Sequence, residues 1–211
     1  MTAGSRQRGR IASVVLAAGA ATRFGGRKQL ALLEGRPLLE HALAIAAASD
    51  TDPTVLVLGA YADEIEAGVE VGEAHVVRCP DWERGRAASL RAGLAALPAD
   101  VEAALIILGD EPFVSPAAGA RLLAARRPGL AALRASYAGR PGHPVLIERE
   151  LFGQLEDPGD RKPGQILKAA GALLVPCDDL GASVDIDTPA DLAALTAHPP
   201  AQSGRPSKTN E

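Results

Sequence analysis

Aromatic residues are scarce in this sequence, with one Trp, two Tyr and three Phe among 211 residues, and its 22 Lys and Arg are outnumbered by 26 Asp and Glu. Without a basic stripe or aromatics to stack on bases, the chain does not encode a nucleic-acid surface. Cysteine is nearly missing too. Cys79 and Cys177 are far apart and lack metal-ligand spacing, which excludes a disulfide framework and predicts two buried thiols in a reducing compartment. No run approaches the ~20 apolar residues of a membrane span. Residues 1–10 are polar and basic with no apolar signal segment, so the expectation is a cytoplasmic protein with no membrane partner.

What is present fits one α/β domain, at roughly 100 to 200 residues per domain. Ile11–Leu16, Thr54–Leu58, His75–Val77 and Ala103–Leu108 are short apolar or β-branched runs ended by Gly, Pro or Asp, and predict buried strands. Between them lie helical patterns: one from Pro37 through Leu38, Leu39, Ala42, Leu43, Ile45 and Ala46, one over Ala87–Leu97 and one over Ala117–Arg127. This βαβα alternation predicts a doubly wound, mostly parallel sheet flanked by helices. Residues 131–175 are punctuated by Gly and Pro and read as an excursion over the substrate side, closed by a late strand at Leu173–Val175. Residues 1–10 and 196–211 are expected to be disordered, which leaves 11–195 as the domain.

In such a sheet ligands bind beyond the carboxyl ends of the strands. The first predicted strand runs into Ala17-Ala18-Gly19-Ala20-Ala21, followed by Arg23 and Lys28. Small residues let backbone N–H groups approach an anion, and Arg23 and Lys28 add fixed positive charge, so this is a phosphate-binding loop in composition and place. It is neither of two common glycine loops. Phe24 and Gln29 break the P-loop pattern, and Ala21 breaks the dinucleotide fingerprint.

Asp110 follows the strongest apolar run, in Leu108-Gly109-Asp110-Glu111-Pro112, and has two readings: a turn-starting Asp before a proline, or a carboxylate ligand for a hard cation such as magnesium. Further on, Thr188, Pro189 and Asp191 are accounted for as the cap and first turn of a helix. Asp185 is not. It precedes the cap and alternates with Ile186 as a strand end would, whereas Asp187 reads as a turn residue.

The string L-A-A-G-x-x-x-R-x-G-G-x-K-Q-L from Leu16 to Leu30 resembles the signature loop of the MobA-like nucleotidyltransferases, in particular the molybdenum cofactor cytidylyltransferases. Other motifs follow in that family's order between Ile11 and Leu195. Trp82–Leu94 resembles its W-x-x-G-x-x-x-S-L-x-x-G-L segment, Leu108–Pro112 its L-G-D-x-P turn, Gly139–Pro144 its G-x-P-G-H-P segment, and Asp185–Leu192 its D-x-D-T-P-x-D-L ending. Ala18 stands where guanylyltransferase relatives tend to have Gly, which leans toward the cytidylyl branch. Ala21 and Phe24 depart from the Ser and Met often found there, and 159–164 only partly matches a G-D-x-G-A-R segment.

The resemblance implies a Rossmann-like nucleotide-diphospho-sugar transferase fold and transfer of CMP from CTP to the phosphate of molybdopterin, with release of pyrophosphate. It implies Arg23, Lys28 and Asp110 as catalytic residues. The nucleotide would be held by Ala17, Ala18, Gly19, Arg23, Lys28, Gly85, Ser89 and Asp110. Magnesium, with manganese as a possible substitute, would sit on Asp110 and Asp185, with Asp187 in reserve. His143 would contact the acceptor, since no acid or nucleophile stands next to it in sequence to support a catalytic role. A molybdoenzyme or its maturation factor would be the protein partner. Three rivals are transfer to another acceptor or from GTP, an NAD(P)H-dependent oxidoreductase like the nicotine blue oxidoreductases that resemble this family, and a cofactor-delivering chaperone without turnover.

Overall fold

The computed structural model describes residues 9–157 and 161–198. Its strands are β1 (Arg10–Leu16), β2 (Leu32–Leu33), β3 (Arg36–Pro37), β4 (Thr54–Leu58), β5 (His75–Arg78), β6 (Val101–Leu108), β7 (Ala132–Tyr137), β8 (Arg140–Glu148) and β9 (Leu173–Pro176). Its helices are α1 (Leu38–Ala47), α2 (Ala62–Gly68), α3 (Arg86–Ala95), α4 (Pro116–Ala125), α5 (Phe152–Glu156), α6 (Pro163–Ala169) and α7 (Pro189–Ala197). Seven strands form one sheet in the order β5-β4-β1-β6-β8-β7-β9, and β2 and β3 form a separate antiparallel ribbon. Only β8 runs against its neighbours in the large sheet.

The apolar runs are continuous because both faces of the central strands are covered. Val14, Leu16, Ala104, Ile106 and Leu108 point into one core with α3, α5 and α6, whereas Val15, Ala103, Leu105 and Ile107 point into the other with α1, α2 and α4. Helix α3 lies very close to the sheet: a Cβ on Gly93 would stand 2.5 Å from Val14 Cγ1 and 3.0 Å from Val57 Cγ2. Gly93→Ala is therefore expected to lower stability by about 1–3 kcal/mol through overpacking, despite alanine's better helix propensity. A urea midpoint at or above that of the native protein would contradict this packing.

From β1 the chain winds outward through β4 to β5, then crosses to the other side of β1 to make β6. The switch point lies between β1 and β6. The Gly19 loop leaves the carboxyl end of β1 and the Asp110 turn leaves that of β6, so the topology sets both beside one crevice. The Gly109 N–H bonds Leu16 O at 3.0 Å, joining the two ends.

The expectation of an excursion over 131–175 is corrected: β7 and β8 are full members of the sheet. Pro141, Gly142 and Pro144 look like turn material in sequence. They are tolerated because β8 pairs with β6 only from Val145 onward. The late strand is present as β9, paired with β7. The regular elements also reach past 11–195, since β1 starts at Arg10 and α7 ends at Ala197. The disorder expected at 1–8 and 199–211, and the match at Gly159 and Asp160, fall outside the described residues.

Candidate nucleotide-binding site

The loop after β1 is held by its neighbours before any ligand arrives. The Ala17 N–H bonds Val57 O at 2.9 Å, and Ala18 O accepts from Ala60 N at 3.0 Å. Gln29, 5% exposed, donates Nε2 to Ala17 O at 2.8 Å and to Gly19 O at 3.0 Å. These bonds occupy the carbonyls, and the Ala17 N–H is already taken, so backbone donors for an anion have to come from Ala18 onward. Gln29 Oε1 is the one buried side-chain polar atom without a hydrogen-bond partner among the described residues.

A cavity of about 280 Å3 opens at this point. Ala17, Ala18, Gly19, Lys28, Gly85, Ser89 and Asp110 all line it, so the structure brings together every nucleotide-binding residue expected from the sequence except Arg23. Gly85, at φ 92° and ψ −175°, turns the chain into α3, whose first turn faces the cavity through Arg86 and Ser89. The positive end of that helix favours an anion there. Trp82, Arg86 and Gln29 also line the cavity. They lie within the quoted motifs, and their place in the wall depends on how α3 and the loop pack.

Lys28 and Arg23 are paired with carboxylates. Lys28, with its side chain 10% exposed, puts Nζ 2.8 Å from Asp110 Oδ2 and 3.7 Å from Asp187 Oδ1. Arg23 stands outside the cavity wall, 73% exposed, with one guanidinium nitrogen 3.0 Å from Asp187 Oδ2. Asp187 thus bridges the two cations of the loop. The capping box expected at α7 is present: Asp191 N–H bonds Thr188 Oγ1 at 3.1 Å, and Thr188 N–H bonds Asp191 Oδ2 at 2.8 Å.

Asp185 belongs to a second cluster. The segment before α7 runs along the Asp110 turn, with Ile186 N–H bonded to Asp110 O at 3.1 Å. Glu111, 3% exposed, is met there by His143 Nδ1 at 3.0 Å and by Ser183 Oγ at 2.6 Å. Burial pushes the Glu111 carboxyl up, but the hydrogen bond and charge of His143, followed by hydrogen bonds from Ser183 and Asp185, outweigh it and hold it below its ordinary value. Asp185 is pushed up to about 6, first by burial and then by the negative charges of Glu111 and Asp110. Sequence reasoning passed over Glu111 and Ser183. It also found no acid beside His143, and Glu111 is that acid, brought in because β8 runs backward and starts at the carboxyl edge of β6.

No group of three or more His, Cys, Asp and Glu is arranged to hold a metal among the described residues. Asp110 and Asp185 nonetheless suit a hard cation that takes its other ligands from phosphate and water. Asp185 is raised by burial first and then by the charges of Glu111 and Asp110, and a divalent cation held there would offset that negative charge. A larger cleft, about 840 Å3, opens at the opposite, amino-terminal edge of the sheet. Of its arginines, Arg10 is paired with Asp52 at 2.8 Å and Arg126 with Glu148 at 2.7 Å, and Asp50, Asp52, Glu102, Glu148 and Glu150 also line it, so its size does not make it the phosphate site.

A family model described as "MobA-like NTP transferase domain" matches residues 13–178. The chain belongs to this family. Among curated proteins it is 32% identical over 190 residues to nicotine blue oxidoreductase of Paenarthrobacter nicotinovorans, covering 84% of this chain and 92% of that one. It is 31% identical over 147 residues to the bifunctional protein GlmU of Bordetella petrii, covering 68% of this chain but only 32% of GlmU. Among solved structures, Rv0371c of Mycobacterium tuberculosis H37Rv superposes with a TM-score of 0.79 at 30% identity, over 90% of this chain and 98% of that one. A manganese complex of Rv0371c is also known. The Rossmann-like fold of the nucleotide-diphospho-sugar transferases expected from the motifs is the fold of this MobA-like protein. No helix among its described residues is long and apolar enough to cross a membrane.

Proposed function

We propose that this MobA-like protein is a cytidylyltransferase that joins CMP to the terminal phosphate of molybdopterin. The observation that carries the reading is the convergence of the Ala18–Gly19 backbone, the Lys28–Asp110 pair and the first turn of α3 on one cavity. An oxygen of the acceptor phosphate attacks the α-phosphorus of CTP, and a new P–O bond forms. The bond from the α-phosphorus to the bridging oxygen breaks, and its electron pair leaves with pyrophosphate. The substrate brings its own nucleophile, so the protein supplies position and charge.

The backbone N–H groups from Ala18 onward and the α3 terminus would receive the triphosphate. Lys28, held at the cavity wall by Asp110, would turn toward the phosphates and neutralise charge on the leaving group, with Arg23 reinforcing it from the rim. Gly85 and Ser89 would border the nucleoside, and the unpaired Gln29 Oε1 suits a ligand that brings an N–H or O–H donor. A divalent cation, magnesium or manganese, would be held by Asp110 and Asp185 and would supply positive charge to the phosphates; Asp187, tied to Lys28 and Arg23, is placed to steady the cations instead. His143 would meet the acceptor. The setting would be the cytoplasm, with a molybdoenzyme or its maturation factor receiving the product.

The experiment is pyrophosphate release with magnesium and molybdopterin, offering CTP, GTP, ATP and UTP one at a time. The expected result is release with CTP at least tenfold above the others. Equal release with GTP would move the protein to the guanylyl branch. A second reading, NAD(P)H-dependent oxidoreduction, is favoured by the 32% identity to nicotine blue oxidoreductase. Consumption of NADPH in the presence of a quinonoid dye, with no pyrophosphate from any nucleotide, would establish it.

A further inference from the structure

Three separated pieces of chain meet on Glu111. It follows Asp110 in the turn after β6, its Oε1 lies 3.0 Å from His143 Nδ1 in β8, and its Oε2 accepts a 2.6 Å hydrogen bond from Ser183 on the approach to Asp185. A carboxylate this buried is tolerated because donors hold both of its oxygens.

The surroundings of His143 are built with equal care. The Tyr137 hydroxyl donates to His143 O at 2.9 Å, and Arg134 Nε donates to Gly142 O at 2.9 Å. A Cβ on Gly142 would come within 2.8 Å of Ser183 and Tyr137, so glycine is what lets these pieces close on the ring. The ladder between β8 and β6 begins only at Val145, so none of this is required to align the two strands.

We propose that Glu111 is a positioning residue for the transfer reaction. By accepting the Nδ1–H of His143 it fixes the imidazole so that Nε2, the nitrogen left with its lone pair, accepts a hydrogen bond from an N–H or O–H of the acceptor. It also ties the acceptor side of the site to the turn that carries Asp110. Glu111 does not line the nucleotide cavity, and its contact with Asp185 bears on the cation, so the role is read at saturating magnesium. The inference rests on the nucleotidyl-transfer reading.

The test uses the full chain with Glu111→Ala, Glu111→Gln and His143→Asn. Nitrogen-15 NMR of the histidine rings, with the His143 signals identified by their loss in His143→Asn, is expected to show a hydrogen-bonded Nδ1–H in the native protein that disappears in Glu111→Ala. Kinetics with magnesium, CTP and molybdopterin should then show the KM for molybdopterin raised about tenfold or more in Glu111→Ala. At saturating magnesium the KM for CTP should stay within twofold, and Glu111→Gln, which keeps an acceptor oxygen, should recover part of the loss. A merely structural Glu111 would raise both KM values together. A His143 signature unchanged in Glu111→Ala, or both KM values moving or neither moving, would overturn the proposal while the native protein still turned over. If the native protein itself released no pyrophosphate with CTP, the transfer reading would fall, and this role with it.

Discussion

Lys28→Ala is expected to lower turnover about 10²–10³-fold, the usual cost of removing one preorganised donor of positive charge from developing negative charge. The residue is suited to that effect because it is largely buried and sits between two carboxylates, 2.8 Å from Asp110 and 3.7 Å from Asp187. Removing it leaves Asp110 without its cation, while Asp187 keeps Arg23 at 3.0 Å, so some stability goes too, about 1–3 kcal/mol for a partly buried group that keeps access to water. The loss of activity should exceed the loss of stability. Steady-state pyrophosphate release at saturating CTP, read beside a urea melt, separates the two effects. A variant that stayed within threefold of native turnover would remove Lys28 from the chemistry and leave it a structural ion pair.

The second large effect is expected from pH. Asp185 is pushed up to about 6 by burial and by the charges of Glu111 and Asp110, whereas an ordinary Asp titrates near 3.8. A folded-state pKa above the unfolded value means that the folded protein holds this proton more tightly. Its contribution to stability is therefore fully present below about pH 4 and is lost as pH rises through about 6. A cation must displace the same proton. Manganese affinity is thus expected to fall about tenfold per pH unit below 6 and to level off above it, and Asp185→Asn should bind weakly with little of this dependence. Calorimetric titration of the nucleotide-free protein between pH 5 and pH 8 measures it. Equal manganese affinity at pH 5 and pH 7 would take Asp185 out of the metal site.

The parallel half of the fold was legible because β1, β4, β5 and β6 are apolar runs with clear breaks, and a strand covered on both faces needs no finer pattern. The cavity was legible for the same reason: its walls follow directly from the ends of β1 and β6 and the start of α3. Strand β8 was hidden by Pro141, Gly142 and Pro144, whose turn chemistry is overridden by the sheet it enters. The Glu111 cluster had no local signal. Glu111 and His143 are 32 residues apart, and only the reversed direction of β8 places them in contact. Arg23 shows the converse case. It matches the loop pattern by spacing, yet its side chain reaches out to Asp187 at 3.0 Å and not into the cavity wall.

The most direct measurement follows the α-phosphorus itself. CTP labelled at the α-phosphate is incubated with the protein, magnesium and molybdopterin, and the label is traced by chromatography. Transfer of the label to molybdopterin, one equivalent for each pyrophosphate released and abolished by Asp110→Asn, is the result this account predicts. Label remaining in CTP, while the same preparation oxidises NADPH, would contradict it.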